Sequence, residues 1–220
     1  GCGGPRQAVA ALNRLLFESH GFRGNAEDYY DPRNSFLNEV LDRHTGIPIT
    51  LSIVYMAVGR RAGVALSGVG MPGHFLVKSV AGERDELLID PFNGGAILIP
   101  EDCQRLLDQI SQGRLRLEPK HLQVIGTRAI LARMLHNLKA IYFTAQEYGR
   151  ALSTVDRLLI LYPDCPSEIR DRGLLFSQVK DYRGATQELE RYLRLAPGAE
   201  DSEVIRKHLR SLRERLAGWN

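Results

Sequence analysis

The stretch "GVGMPGHFLVKS" (residues 68–79) decides how the first half of the chain is read. Gly68, Gly70 and Gly73 satisfy G-x-G-x-x-G, the dinucleotide fingerprint. That fingerprint needs a strand, a glycine loop and then a helix, because the helix N-terminus holds the pyrophosphate. Here the glycines run into "HFLVK" (74–78), a strand pattern, and Pro72 removes a backbone N–H that such a loop would use. The match is accidental, and the glycines are expected to shape the backbone approaching His74.

Upstream, "IPITLSIVYMAVGRRAG" (47–63) is the most apolar helix candidate, with Pro48 in its first turn and Gly63 as its stop. Val64 to Val69 reads as a strand and His74 to Val80 as a second. "AGERD" (81–85) reads as a turn, "ELLID" (86–90) as a third strand, "PFNGG" (91–95) as another turn and "AILI" (96–99) as a fourth strand. Residues 5–19 carry Val9, Leu12, Leu15 and Leu16 at helical spacing, and "GFRGNAEDYY" (21–30) reads as a loop. Asp31 is expected to cap a helix that begins at Pro32, carries Phe36, Leu37, Val40 and Leu41 on one face and stops at Gly46.

If 81–85 is a turn, the flanking strands are antiparallel and Asp90 falls within about one pleat of His74. A histidine and an aspartate so placed can act as base and orienter, the carboxylate fixing the ring tautomer. The alternative is a plain structural hydrogen bond. Asn34 and Asn38, four apart, are expected on one helical turn, either lining a cleft or capping and solvating the helix. Arg33, Arg43, Arg60 and Arg61 read as a solvated face.

The second half repeats itself. "YGRALSTVDRLLILYP" (148–163) aligns with "YRGATQELERYLRLAP" (182–197), so that Tyr148, Ala151 and Pro163 each recur 34 residues later as Tyr182, Ala185 and Pro197. Tyr142 and Phe176 share an aromatic slot, while Gly173 fills a small-residue slot that holds Lys139 in the first copy. A 34-residue period is that of the tetratricopeptide repeat, a helix–turn–helix unit. Small Ala151 and Ala185 allow close helix approach, and the prolines end each unit. Asp201 to Leu216 carries Val204, Ile205, His208, Leu209, Leu212 and Leu216 at helical spacing and reads as a capping helix. Such an array either offers a short groove to a peptide or packs against the first half.

An apolar helix ending in "RRAG", then a strand, "GHFLV" and "IDPF", is similar in order and spacing to the transglutaminase-like, papain-related core. More closely, "DPRNSFLNEVLDRHTGIPITLSIVYMAVGRRAG", "GMPGHFLVK" and "LIDPFNGG", followed by tetratricopeptide repeats, resemble the bacterial SirB-type transglutaminase-like proteins over nearly the whole chain. The resemblance implies that His74 and Asp90 match the family's histidine and aspartate. It places the nucleophilic cysteine at Pro48, give or take a residue or two, where "GIPITLS" (46–52) has no cysteine. Cys2 lies far upstream, whereas Cys103 and Cys165 follow the aspartate, the wrong order for the family. Each reads as structural or incidental. Thr50 or Ser52 could supply a hydroxyl, but an alcohol depends wholly on a base such as His74, and Thr50 also suits an N-terminal helix turn.

Bulk properties narrow the classes. A chain of 220 residues, 44% hydrophobic and 25% charged, can bury a core in one or two domains. Its net charge is +3, with basic and acidic residues interleaved, so no nucleic-acid face is expected. No apolar run approaches the ~18 residues of a membrane span, and no signal peptide is visible. A start at Gly1 rather than Met is expected of a fragment or a processed chain. Three cysteines without a C-x-x-C pair suggest a reducing cytoplasm. The six histidines lack metal-ligand spacing, so neither a metal nor a cofactor is expected.

The expected architecture is α+β: a transglutaminase-like core of helices and a small antiparallel sheet (residues 1–124), followed by an all-α tetratricopeptide-type domain (125–220). Two functions compete. One is a degenerate, non-catalytic fold that binds a protein or peptide partner, with Asn34, Asn38 and Pro48 lining its cleft. The other is an acyl-transfer or amide-hydrolysing enzyme using His74 and Asp90 with a hydroxyl from Thr50 or Ser52.

Overall fold

The computed structural model describes residues 4–79 and 86–217. The turn expected at 81–85 and Cys2 lie outside the described residues. Among those described, nine α-helices accompany a small antiparallel sheet. The chain divides into two compact units, Gly1–Met134 and Leu135–Asn220.

In the first unit, helix α1 (Pro5–Asn13) continues into a π-helical turn at Arg14–Ser19. The wider turn buries Leu16 and leaves Leu15 exposed, against the expectation that both face inward. The helix expected from Pro32 is two elements instead. A 3-10 turn, Pro32–Ser35, is capped by Asp31, whose carboxylate accepts from the Arg33 N–H. Phe36 is extended, and α2 (Leu37–Arg43) starts afresh after it. The break rotates the expected apolar face, so that Val40 is buried while Phe36 and Leu41 are exposed. The stop is His44, in the left-handed region at φ 51°. Gly46 belongs to a short parallel pair, β1 (Arg23–Gly24) with β2 (Thr45–Gly46).

Helix α3 (Pro48–Arg61) is the centre of this unit. Ile49, Leu51, Val54, Tyr55 and Gly59 are buried on several sides of it, as a helix apolar all round requires. Tyr55 donates to Asn13 Oδ1 at 2.8 Å, tying α1 to α3. The sheet runs β3 (Leu66–Val69), β4 (Leu76–Ser79), β5 (Leu88–Asp90) and β6 (Ala96–Leu98), each antiparallel to the next, with Val77 opposite Ile89. Helix α4 (Pro100–Ser111), not anticipated from the sequence, buries Cys103 and Leu107. Cys103 packs with Val69, Met71 and Leu76. Helix α5 (Thr127–Thr144) begins in this unit, where Ile130 and Met134 pack with Phe75, and the division falls within it.

The second unit is helical. Helices α6 (Tyr148–Leu161) and α8 (Tyr182–Leu195) both end two residues before their prolines, and α7 (Pro166–Gln178) lies between them in the chain. Ala151 and Ala185 are fully buried in one core with Val155, Leu189 and Tyr192. Helix α9 (Ser202–Ala217) adds Ile205, Leu209 and Leu212 to that core, whereas Val204 faces out. A Cβ on Gly173 would lie 2.8 Å from Leu189, which explains the small slot. Its counterpart Lys139 instead donates to Glu168 and Asp171. The turns repeat as well: Gln146 (φ 57°) and Lys180 (φ 65°) both adopt the left-handed conformation. After them Glu147 N–H donates to Tyr142 O and Asp181 N–H to Phe176 O, each at 2.9 Å.

Candidate functional site

His74 closes the turn that leads into β4. Gly73, at φ 71°, takes a conformation that favours glycine, and the His74 N–H donates to Met71 O at 3.2 Å. The ring is 7% exposed. Phe75, next in the chain, packs with Ile47 and Ile49 at the start of α3.

Asp90 ends β5 and is fully buried. Its Oδ2 lies 2.9 Å from His74 Nε2 and accepts from Asn93 Nδ2 at 2.8 Å. Its Oδ1 accepts from the N–H groups of Phe92 and Asn93, capping the 3-10 turn Pro91–Asn93. Burial pushes this carboxyl upward, but hydrogen bonds from His74 and Asn93 and the attraction of His74 outweigh it and hold the group below the ordinary carboxylate value. An ionised Asp90 on Nε2 makes that nitrogen the protonated one in the neutral ring. Nδ1 then carries the basic lone pair, and it has no hydrogen-bond partner among the described residues. The Phe92 ring meets the imidazole edge-on at 6.0 Å, and Tyr29 meets Phe92 at 6.2 Å. A Cβ on Gly24 would sit 2.7 Å from both the ring and the carbonyl of Phe92, so β1 presses on this wall.

The other anticipated residues separate. Thr50 is buried, its Oγ1 accepting from Ile47 N–H at 3.1 Å and donating to Asn34 O at 2.8 Å. That hydroxyl completes the helix start. Ser52 is buried too, and its Oγ has no partner among the described residues. Pro48 is buried in the first turn of α3. Asn34 and Asn38 do not share a helical turn, because the chain breaks at Phe36 between them. Asn34 is fully buried, its amide donating to Asp28 O and its carbonyl accepting from Asn25, while Asn38 is exposed. Cys103 is sealed in its apolar cluster. Burial first, then the charges of Asp102 and Asp90, push its thiol up to about 11. Among the described residues no three His, Cys, Asp or Glu side chains are grouped to hold a metal ion, and no helix is long and apolar enough to cross a membrane.

Sequence reasoning missed Asn93, Phe92, Tyr29 and Arg133. Asp-Pro-Phe-Asn (90–93) is a cap signal that could have flagged Asn93. Arg133 donates through Nη2 to Met71 O at 2.5 Å and to His74 O at 2.6 Å from 59 residues away, a bond with no local signature.

Comparison with known families gives the class of protein to which this fold belongs. The model of the transglutaminase-like superfamily matches residues 3–136, and that of the tetratricopeptide repeat matches 138–210. The chain belongs to the transglutaminase-like superfamily, within the bacterial UPF0162 (SirB-type) family. A UPF0162 protein of Xylella fastidiosa is 40% identical over 204 residues, covering 91% of this chain and 72% of its own length. A UPF0162 protein of Vibrio cholerae is 32% identical over 203 residues, covering 92% and 74%. F-box only protein 21 of Mus musculus is 33% identical over 168 residues, which make up 72% of this chain and 26% of the mouse protein.

Proposed function

We propose that this chain binds a protein or peptide partner, with the repeats as its interaction module and a transglutaminase-like domain that has lost its nucleophilic cysteine. The observation that carries this reading is the chemistry at the start of α3. The resemblance puts the nucleophile's slot at Pro48, give or take a residue or two, where Ile47, Pro48, Ile49, Thr50 and Ser52 offer no thiol. Burial raises the thiol of Cys103, in the first unit's core, to about 11. Acyl transfer by cysteine needs a thiolate within reach of the imidazole.

The repeat unit supports binding. A groove of about 710 Å³ is lined by α5, α7 and α9, including Phe143, Leu174, Val204 and His208. Phe143 is 49% and Val204 66% exposed, apolar side chains open to a partner. The test is a pull-down with the full chain and with Phe143→Glu/Val204→Glu, the retained proteins identified by mass spectrometry. Proteins held by the parent and lost by the variant support the reading. Equal retention by both, or none by the parent, overturns it.

A second reading is favoured by one observation, the unbonded Ser52 hydroxyl. In it Ser52 is the nucleophile of an acyl-transfer or amide-hydrolysing enzyme, His74 its base through Nδ1 and Asp90 the orienter. Labelling by a fluorophosphonate, absent in Ser52→Ala and in His74→Gln, would establish it. An unlabelled parent chain would dismiss it.

A further inference from the structure

Arg133, on α5, is half-buried and has no carboxylate partner among the described residues. Buried cations are ordinarily paired. This one spends Nη2 on two backbone carbonyls, Met71 O at 2.5 Å and His74 O at 2.6 Å, and lies over the Phe75 ring with its carbon 5.7 Å from the centroid. Those carbonyls bracket Pro72 and Gly73. Pro72 has no N–H and Gly73 sits in the left-handed region, so the backbone closes the turn only through the His74 N–H at 3.2 Å. A charged side chain therefore adds two bonds to that single backbone one, and hydrogen bonds from a charged donor are the stronger kind. Gly70 makes room for it, since a Cβ there would lie 3.2 Å from Arg133 Nη1 and 3.0 Å from Ile125.

We propose that Arg133 is the positioning residue of the His74–Asp90 pair. It holds the carbonyl of His74 while Asp90 holds Nε2, so the residue is fixed at both ends and Nδ1 keeps one direction. An ammonium could serve both carbonyls as Nη2 does, but it lacks the flat guanidinium that lies over the Phe75 ring, so lysine is only partly equivalent here. The functional weight of the proposal rests on reading His74 and Asp90 as the working site. The positioning itself is read in the ring, so it stands or falls separately from any binding or catalysis.

The experiment is NMR of the full chain carrying ¹⁵N-histidine, the His74 resonances assigned by their loss in His74→Gln, at a pH where the ring is neutral. The parent should show a protonated Nε2 and an unprotonated Nδ1. In Arg133→Gln the two nitrogens should move toward averaged shifts, and the Nε2 proton should exchange roughly tenfold faster, as for loss of about 1.4 kcal/mol of protection. Arg133→Lys should recover part of the signature, and Arg128→Gln, an exposed change on the same helix, should leave it untouched. Should Arg133→Gln fail to fold, Arg133→Lys and Gly70→Ala carry the test, and each should move His74 while leaving His136 and His208 in place. A His74 signature unchanged in the folded variants would overturn the proposal.

Discussion

Oδ2 of Asp90 lies 2.9 Å from Nε2 of His74 while Oδ1 accepts from the Phe92 N–H at 3.1 Å, so one carboxylate both orients the imidazole and caps its own turn. The two duties reinforce each other. The cap fixes the carboxylate without help from the ring, and the ring finds it already aimed. Asp90→Asn should disturb both, costing roughly 1–3 kcal/mol by leaving donors unsatisfied. The folded carboxyl sits below its ordinary 3.8, so its contribution is fully present above that pH and is lost as pH falls through the lower folded value. Chemical denaturation across pH should therefore show the difference between parent and Asp90→Asn at neutral pH and a narrowing gap below 3.8. A gap that widens on acidification would contradict this.

The cysteines should differ sharply in reactivity. Cys103 is fully buried with its thiol raised to about 11, whereas Cys165 is only half-buried and lies 3.3 Å from the Ser167 hydroxyl. Brief iodoacetamide treatment of the native chain at neutral pH should modify Cys165 and spare Cys103 until denaturant is added. Peptide mass spectrometry reads the outcome, and rapid native modification of Cys103 would show that its pocket opens.

Ala151 and Ala185 mark the helix crossings of the repeat unit, and neither exposes any surface. Ala151→Leu or Ala185→Leu should each overpack the crossing by about 1–3 kcal/mol. Thermal melts test this, and an unaltered midpoint in both variants would be inconsistent with the packing described.

Glu168 is buried between His136 Nε2 at 3.0 Å and Lys139 Nζ at 2.8 Å, with Asp171 as the other acceptor of Lys139. Burial pushes Glu168 upward, but the hydrogen bonds from His136 and Lys139 and the charge of Lys139 outweigh it and hold the group below the ordinary value. Glu168→Ala should cost about 3 kcal/mol, the lower end for breaking a buried pair because Lys139 retains Asp171. Urea titration gives the value, and a loss near zero would show that the network has little weight.

The repeats were legible because six residues recur at one fixed spacing, a long-range coincidence that local chemistry rarely produces. The start of α3 was legible from Pro48, and the meeting of His74 with Asp90 followed from strand alternation across a turn. What escaped had no periodic signal. The break at Phe36 depends on Asp31 closing a tight 3-10 turn, and it separates Asn34 from Asn38. For Thr50 the sequence leaves a spare hydroxyl and a helix-start role both open, and its acceptor, Asn34 O, lies 16 residues away with no local signal. Arg133 reaches His74 through backbone carbonyls, and carbonyls are the same for every residue type, so neither partner advertises the bond.

The left-handed turns at Gln146 and Lys180 carry a different lesson. An amide and an amine, with no chemistry in common and no glycine to ease the geometry, occupy the same φ 34 residues apart and hand the chain to the same backbone bond. What the two copies share at that point is an angle rather than a letter. A comparison of side chains would score the position as a mismatch, although it is the joint on which each hairpin of helices folds back.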